Sequence, residues 1–154
     1  MTIRKAENSD FLKVLNLKNQ VHKKHVVAEP EFYKDINNVM TEKAFLEEVE
    51  NSHKYLLENA NKIIGYIIYN LIEVTDNPVI YDQKIMFIDD FCIDEKEKCK
   101  GYGKYLFNEA MILGKKLGCK SIELNVWNFN REAKTFYYKM NMRETRIRMR
   151  RNIV

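Results

Sequence analysis

Cys99-Lys100-Gly101-Tyr102-Gly103-Lys104 is the segment of this chain whose residue types and spacing most directly imply chemistry. It leaves an apolar run at 85–93, rich in aromatic and β-branched residues. It enters an amphipathic run in which Tyr105, Leu106, Ala110, Leu113 and Leu117 recur at helical spacing. A strand that feeds a glycine-bearing loop and opens a helix makes an anion cradle. Glycine lets the backbone approach a ligand closely, and the unpaired N–H groups of the first helical turn point at negative charge. Position 106 is Leu, so the third glycine of a dinucleotide fingerprint is missing, and no Gly-Lys-Ser/Thr run marks a triphosphate loop. The loop is read as holding a phosphate-bearing cofactor.

Other reactive types lie nearby in sequence. Asp89 and Asp90 interrupt the apolar run just before the loop. A carboxylate amid apolar residues is costly to bury without a role or a partner, so the pair is either chemical or salt-bridged. Strict strand alternation sends one of the two to each side of a sheet. His22 and His25 share a helical face, but no Cys or carboxylate is placed to complete a site around them, and no metal is expected. The three cysteines, Cys92, Cys99 and Cys119, are an odd number without metal-like spacing and suit a reducing compartment. Cys99, near a helix start, is a reactive thiol or a spectator.

The elements that must position these residues follow from periodicity. Residues 2–6 read as a strand, with Ser9 as the N-cap of a helix built on Phe11, Leu12, Leu15 and Leu17. Pro30 breaks the chain and leaves 29–40 partly irregular, after which Thr41 caps a helix built on Phe45, Leu46 and Val49. Strands at 54–58 and 63–72 are joined by Asn59-Ala60-Asn61, and Asp76-Asn77-Pro78 marks the loop before the strand ending at Ile93. A strand at 122–127 precedes a helix at 131–140 that carries Ala133, Phe136, Tyr137 and Met140 on one side. In Arg146-Ile147-Arg148-Met149-Arg150-Arg151 the basic residues alternate with Ile147 and Met149. That pattern reads as a last strand with one buried and one solvated face, and it argues against a nucleic-acid-binding run. The order is β-α-α-β-β-β-α-β-α-β, an α/β (α+β) chain with a mixed, mostly antiparallel central sheet and helices on both faces.

Lys98-x-x-Gly101-x-Gly103, followed by Asn130-x-x-Ala133-x-x-Phe136-Tyr137-x-x-x-Asn141-Met142, resembles the two signature motifs of the GNAT N-acetyltransferase superfamily in order, spacing and context. Three positions depart from that pattern: Lys98 where Arg or Gln is usual, Cys99 where a basic residue is frequent, and Asn141-Met142 in place of Gly-Phe. Backbone amides carry the phosphate contacts in such a loop, Asn tolerates a left-handed cap, and Met fills irregular apolar space, so the geometry survives all three.

The resemblance implies the GNAT acyltransferase fold, acetyl-CoA as cofactor with CoA as product, and transfer of the acetyl group to a primary amine by direct attack in a ternary complex. On that reading Lys98, Cys99, Lys100, Gly101, Tyr102, Gly103 and Lys104 hold the pyrophosphate. The backbone of Phe91, Cys92 and Ile93 pairs with the pantetheine arm and supplies an oxyanion donor. Asn130 and Ala133 meet the cofactor at the last helix. Tyr137 is the general acid for the departing thiolate, and Tyr138, turned about 100° away along the helix, is structural. Asp89 or Asp90 is the candidate base for the incoming amine. His22, His25 and Tyr33 fall in the helix–loop region that lines the acceptor pocket of related folds. His53 carries no signal.

Length and composition bound the rest. The 154 residues suffice for one domain, 1–154, and 45% hydrophobic with 31% charged residues is ordinary for a globular chain. No stretch reaches the roughly 20 apolar residues of a bilayer span, and the N-terminus lacks an apolar signal core, so no membrane partner and a cytoplasmic location are expected. The formal net charge is +4. Glu29, Glu31 and Asp35 suit a cationic acceptor, whether a small amine or a protein amine, and a homodimer is left open. The competing reading is a non-catalytic acyl-CoA-binding or RNA-contacting module that uses the basic C-terminal strand.

Overall fold

A computed structural model of the chain describes residues 1–51 and 53–153. Five strands form one sheet in sequence order: β1 (Thr2–Lys5), β2 (His53–Asn59), β3 (Lys62–Val74), β4 (Gln83–Ile93) and β5 (Ser121–Leu124). Neighbours are antiparallel except β4 and β5, which run parallel and pair 85–88 with 121–124. The β2–β3 turn is two residues long, with Ala60 and Asn61 at φ 48° and 60°, the left-handed pair that matches strand twist in a tight hairpin. Among the described residues there are four α-helices: α1 (Phe11–Ala28), α2 (Glu42–Asn51), α3 (Tyr102–Lys116) and α4 (Arg131–Lys139).

Both faces of the sheet are covered because the central strand is apolar on both. In β3, Tyr66 and Ile68 pack with Val14, Leu17 and Phe45 under α1 and α2. Ile67 and Tyr69 pack with Leu106, Phe107 and Ala110 under α3. Alternation therefore sends two separate sets of side chains into two cores. Gly65 permits the closest strand approach, since a Cβ there would lie 2.6 Å from the Cys92 carbonyl oxygen.

One irregularity in β4 decides where its side chains point. Ile68 faces Asp90 across the β3–β4 ladder and Tyr69 faces Ile88, so Asp89 is an extra residue with no partner. This bulge shifts the alternation by one. Met86 and Ile88 face α3 before it, Phe91 and Ile93 face α3 after it, and Cys92 faces α1. Asp89 and Asp90 consequently share the α1 side, where Asp89 accepts from the Asn70 amide and Asp90 from the Tyr66 hydroxyl at 2.7 Å. The expectation of one carboxylate on each side of the sheet is thus corrected.

Two further expectations change. Residues 146–151 form no strand, and Ile147 and Met149 are 81% and 90% exposed rather than lining a buried face. A strand pattern needs a partner edge, and no described strand pairs with this segment. The strand expected at 122–127 stops at Leu124. At the N-terminus, Ser9 is not the cap. A 3₁₀ turn at Asn8–Asp10 precedes α1, and the Asp10 carboxylate accepts from the Glu7 N–H at 2.9 Å while holding Arg4 in two bonds of 2.8 and 2.9 Å. Thr41 does cap α2, accepting from the Ala44 N–H at 3.2 Å.

Candidate active site

The site begins where β4 outruns β5. Pairing ends at Ile88 and Leu124, so among the described residues no strand covers the outer backbone edge of 89–93. The inner edge remains tied to β3, with Ile67, Tyr66 and Gly65 opposite Phe91, Cys92 and Ile93. An uncovered strand edge is a row of amide donors and acceptors that a pantetheine-like chain can pair with, as another strand would.

The expected phosphate loop lies at the end of that edge. Cys99 and Gly101 adopt left-handed backbone conformations, with φ 60° and 86°. Gly101 is the N-cap of α3, and a Cβ there would meet nothing within 4 Å, so glycine is needed for conformation rather than for space. The first α3 bond runs from the Tyr105 N–H to the Gly101 carbonyl at 3.0 Å, leaving the N–H groups of Tyr102, Gly103 and Lys104 without a helical partner. Gly103 packs closely, since a Cβ there would come within 3.3 Å of the Phe136 ring, which would have to give by a few tenths of an ångström, and 3.7 Å of Ile93. Alternating left-handed residues and a free helix N-terminus together form a concave anion nest. A phosphate-bearing group fits this cradle.

Lys98 does not point freely into the loop. Its ammonium bonds both oxygens of Glu132 at 2.7 and 2.8 Å, and Lys24 of α1 reaches Glu132 at 3.3 Å and Glu95 at 3.4 Å. The Lys98 contact holds the Glu132 carboxyl below its ordinary range. This ion cluster joins the loop, α1 and the first turn of α4. Lys100 pairs with Glu97 at 2.9 Å, and the Tyr102 hydroxyl accepts from Asn59 at 3.1 Å. Cys99 is exposed and free. Cys92 is buried, with burial pushing its thiol up to about 12, which leaves it inert near neutral pH.

Helix α4 brings Tyr137 to the same edge. The Asn130 side chain caps it by accepting from the Ala133 N–H at 3.1 Å. Phe136 stacks on Phe91 at 5.7 Å, and Tyr137 contacts Phe91 edge-on at 6.5 Å and Phe107 at 6.3 Å. Burial pushes the Tyr137 phenol well above its usual range, and the nearby Asp90 charge adds to the shift, so it is protonated at neutral pH. Tyr138 lies on the outer side and bonds Glu144. Asn141 terminates the helix at φ 61°, and Met142 packs into the α3 core. Both substitute for the usual Gly-Phe as expected.

The α1 side of β4 presents a different chemistry. Asp90 is 3.6 Å from the Lys18 ammonium, and Asp89 is held above the usual carboxylate range by burial, with Asp90 adding to the effect and the Asn70 amide opposing it. Beyond them lies a cluster of rings. His25 stacks on Tyr33 at 5.0 Å and meets Phe129 at 5.6 Å and Trp127 at 6.3 Å. Tyr33 and Phe32 each pack edge-on against Trp127. Burial holds His25 below its ordinary value against the opposing pull of Asp90. His22 contacts Tyr33 edge-on and hydrogen-bonds the Lys34 carbonyl at 2.8 Å. His53 is remote from this cluster and stacks on Tyr69. Among the described residues no group of three His, Cys, Asp or Glu is placed to hold a metal.

Sequence reasoning brought together the loop, Tyr137 and Asp89–Asp90. It missed Trp127, Phe129 and Phe32 in the ring cluster, and Lys24 and Glu132 beside the loop. Four aromatic residues within Trp127-Asn128-Phe129 and Phe32-Tyr33, close to predicted loops where a core does not demand them, were the available signal.

A sheet uncovered beyond Leu124 with an anion nest at its opening suits a group-transfer enzyme that holds a phosphate-bearing donor. Residues 17–142 match the acetyltransferase (GNAT) family, and the chain belongs to that family. A mutant form of the BH1408 protein from Bacillus halodurans is 28% identical, superposes with a TM-score of 0.95, and the match covers 100% of both chains. Two more distant structures share the fold. Glucosamine-6-phosphate N-acetyltransferase from Arabidopsis thaliana has TM-score 0.71 at 21% identity over 99% of this chain and 98% of its own. An acetyltransferase from Trypanosoma brucei has TM-score 0.71 at 15% identity over 99% of each. No curated protein sequence matches the chain. No helix among the described residues is long and apolar enough to cross a membrane.

Proposed function

We propose that residues 1–154 form a single domain that acetylates a primary amine with acetyl-CoA in a ternary complex, working in the cytoplasm with its three cysteines free. One observation carries this reading. The uncovered edge of 89–93 lies between the left-handed nest at 99–101 and the partly buried Tyr137, with Ile93 touching the position of Gly103 and Phe91 touching Tyr137.

The cradle of Tyr102, Gly103 and Lys104 N–H groups, with Lys98, Cys99, Lys100 and Gly101 shaping it, would hold the pyrophosphate. The backbone of Phe91, Cys92 and Ile93 would pair with the amide-bearing arm. When bound, acetyl-CoA supplies a thioester, an acyl group already activated for attack. A β4 amide polarising the thioester carbonyl is worth about 3 kcal/mol in the transition state. The bulge presents Asp89 and Asp90 to the acceptor side. Asp90 is committed to Tyr66 and Lys18, so Asp89 is the better acceptor for the amine proton, directly or through water. With acetyl-CoA bound, the amine nitrogen would bond to the acetyl carbon as the carbon–sulfur bond breaks, Asp89 taking the amine proton and the protonated Tyr137 phenol supplying one to the leaving thiolate.

A thiol-release assay with acetyl-CoA against a panel of amines tests this. Release that depends on an amine, together with mass gain of one acetyl group on that amine, is expected. The alternative of a non-catalytic acyl-CoA-binding or RNA-contacting module has less support, since residues 146–151 form no basic strand. Acetyl-CoA binding with no turnover on any amine would favour it.

A further inference from the structure

The structure contains its own cation on the acceptor side. Arg150 reaches back from the C-terminal segment to bond the Glu29 carboxylate at 2.6 Å, and its guanidinium lies over the Phe32 ring, 5.3 Å from the centroid. A carboxylate beside an aromatic face is the environment that recognises an ammonium or guanidinium group. From this outer point the rings pack one on another: Phe32 meets Tyr33 at 5.0 Å and Trp127 at 5.6 Å, Tyr33 stacks on His25 at 5.0 Å, and His25 meets Phe129 at 5.6 Å, which makes one continuous aromatic face. About two turns before His25 on α1, Lys18 pairs with Asp90 of the bulge at 3.6 Å, so this helix carries the face toward the two carboxylates.

Resting on the acetyltransferase reading above, we propose that this aromatic face is the acceptor site and takes an aliphatic diamine or polyamine laid along it. The distal cation sits where the Arg150 guanidinium now lies, on Phe32 and Glu29, and the reacting amine points toward Asp89 and Asp90. The chemistry of the face selects this class. Carboxylates mark both ends, while the stretch between them is aromatic and suits methylene groups. A peptide acceptor would place amides against ring faces with few groups to satisfy them, at a cost for each unpaired donor or acceptor. Arg150 is then an internal competitor whose guanidinium a substrate must displace. The reaction is the acetyl transfer already written, with the second cation unchanged throughout.

Steady-state acetylation by the full chain, with putrescine, spermidine, butylamine and a lysine-bearing peptide as acceptors, provides the test. The wild type is expected to use putrescine with a kcat/KM roughly tenfold above butylamine, the scale of one cation held by a ring and a carboxylate. Glu29→Gln and Phe32→Leu should each bring that ratio toward one. Arg150→Gln should lower the KM for spermidine several-fold at constant kcat. A wild-type ratio of one overturns the proposal, as does a ratio unmoved in both Glu29→Gln and Phe32→Leu, or a peptide preferred over every polyamine. Spermidine-induced change in Tm gives a readout independent of turnover. If no amine is acetylated but spermidine stabilises the wild type and not Glu29→Gln, the cation site stands and the acetyl-transfer reading falls. If neither is seen, both fall.

Discussion

The two sides of β4 are built from different materials. The α3 side depends on main chain: two left-handed residues, a helix N-terminus and an uncovered strand edge, fixed by Gly101, Gly103 and the Asn130 cap. The α1 side depends on side chains gathered from α1, the loop after it, the segment after β5 and the C-terminus, with His25, Tyr33, Trp127 and Arg150 as one member from each. A backbone cradle recognises what every acyl-CoA shares, whereas assembled side chains recognise what distinguishes one amine from another. On the proposed function the lesson is a division of labour: the cofactor half would tolerate substitutions such as Lys98 and Cys99, and the acceptor half would set which amine this chain takes.

The sharpest test of that division is at Tyr137, which packs on the α3 side and, on the proposed function, protonates the departing thiolate. Tyr137→Phe keeps the ring contacts with Phe91 and Phe107 and removes only the hydroxyl. Turnover should fall on the order of 10²-fold, the scale of a lost general acid, with acetyl-CoA affinity unchanged by titration calorimetry. Tyr138→Phe, which loses only an exposed bond to Glu144, should be nearly silent. Equal losses in the two variants would show that the phenol facing the cleft has no special role.

Gly101→Ala tests the cradle itself. At φ 86° a Cβ costs about 1–2 kcal/mol in a left-handed conformation, and nothing nearby is displaced by it. Acetyl-CoA at a hundredfold over its Kd stabilises the wild type by about 2.7 kcal/mol, or roughly 5–11 °C for a chain of this size. The variant should lose most of that shift, measured by thermal denaturation with and without ligand. Gly103 is the poorer probe, since a Cβ there lies 3.3 Å from the Phe136 ring and would mix a packing adjustment with any effect on the cradle.

These contrasts explain what was legible in the sequence. Two glycines and an asparagine at fixed spacing report backbone conformations that few residues adopt, so the loop, α3 and α4 were readable before any fold was known. The β4 bulge was not. Ile88-Asp89-Asp90-Phe91 is compatible with plain alternation, and the extra residue appears only when β3 is laid beside it. The ring cluster was equally hidden, because its members are separated by up to about a hundred residues and no local period links them.

The bulge yields a smaller and pH-dependent prediction. Asp89→Asn should lower turnover about tenfold at neutral pH and regain it as the pH rises, since a free amine no longer needs a base. In the wild type the rate should decline on acidification through a pKa above the ordinary carboxylate range, because burial raises Asp89 in the folded state. Asp90→Asn should behave differently. It replaces the charged acceptor of the Tyr66 hydroxyl by a weaker amide oxygen and removes the charge partner of Lys18, so its main effect is a lower Tm at every pH. Identical pH profiles for the two variants would mean that the bulge does not divide their work.

The smallest effect belongs to the segment where pattern and structure part. Ile147 and Met149 alternate with arginines as a strand would, yet both are almost fully exposed, and in the sheet β5 is paired only with β4. Hydropathic period states which residues could share a face; burial requires an edge to lie against. Ile147→Lys with Met149→Lys should therefore change stability by less than about 0.5 kcal/mol, the range for exposed substitutions, as read by denaturant unfolding. The same pair should leave the contact of Arg150 with Glu29 and Phe32 in place, and so preserve any preference for polyamines. A loss above about 1 kcal/mol, or a midpoint that rises with protein concentration, would instead mean that these residues bury against the β5 edge or a second copy of the chain.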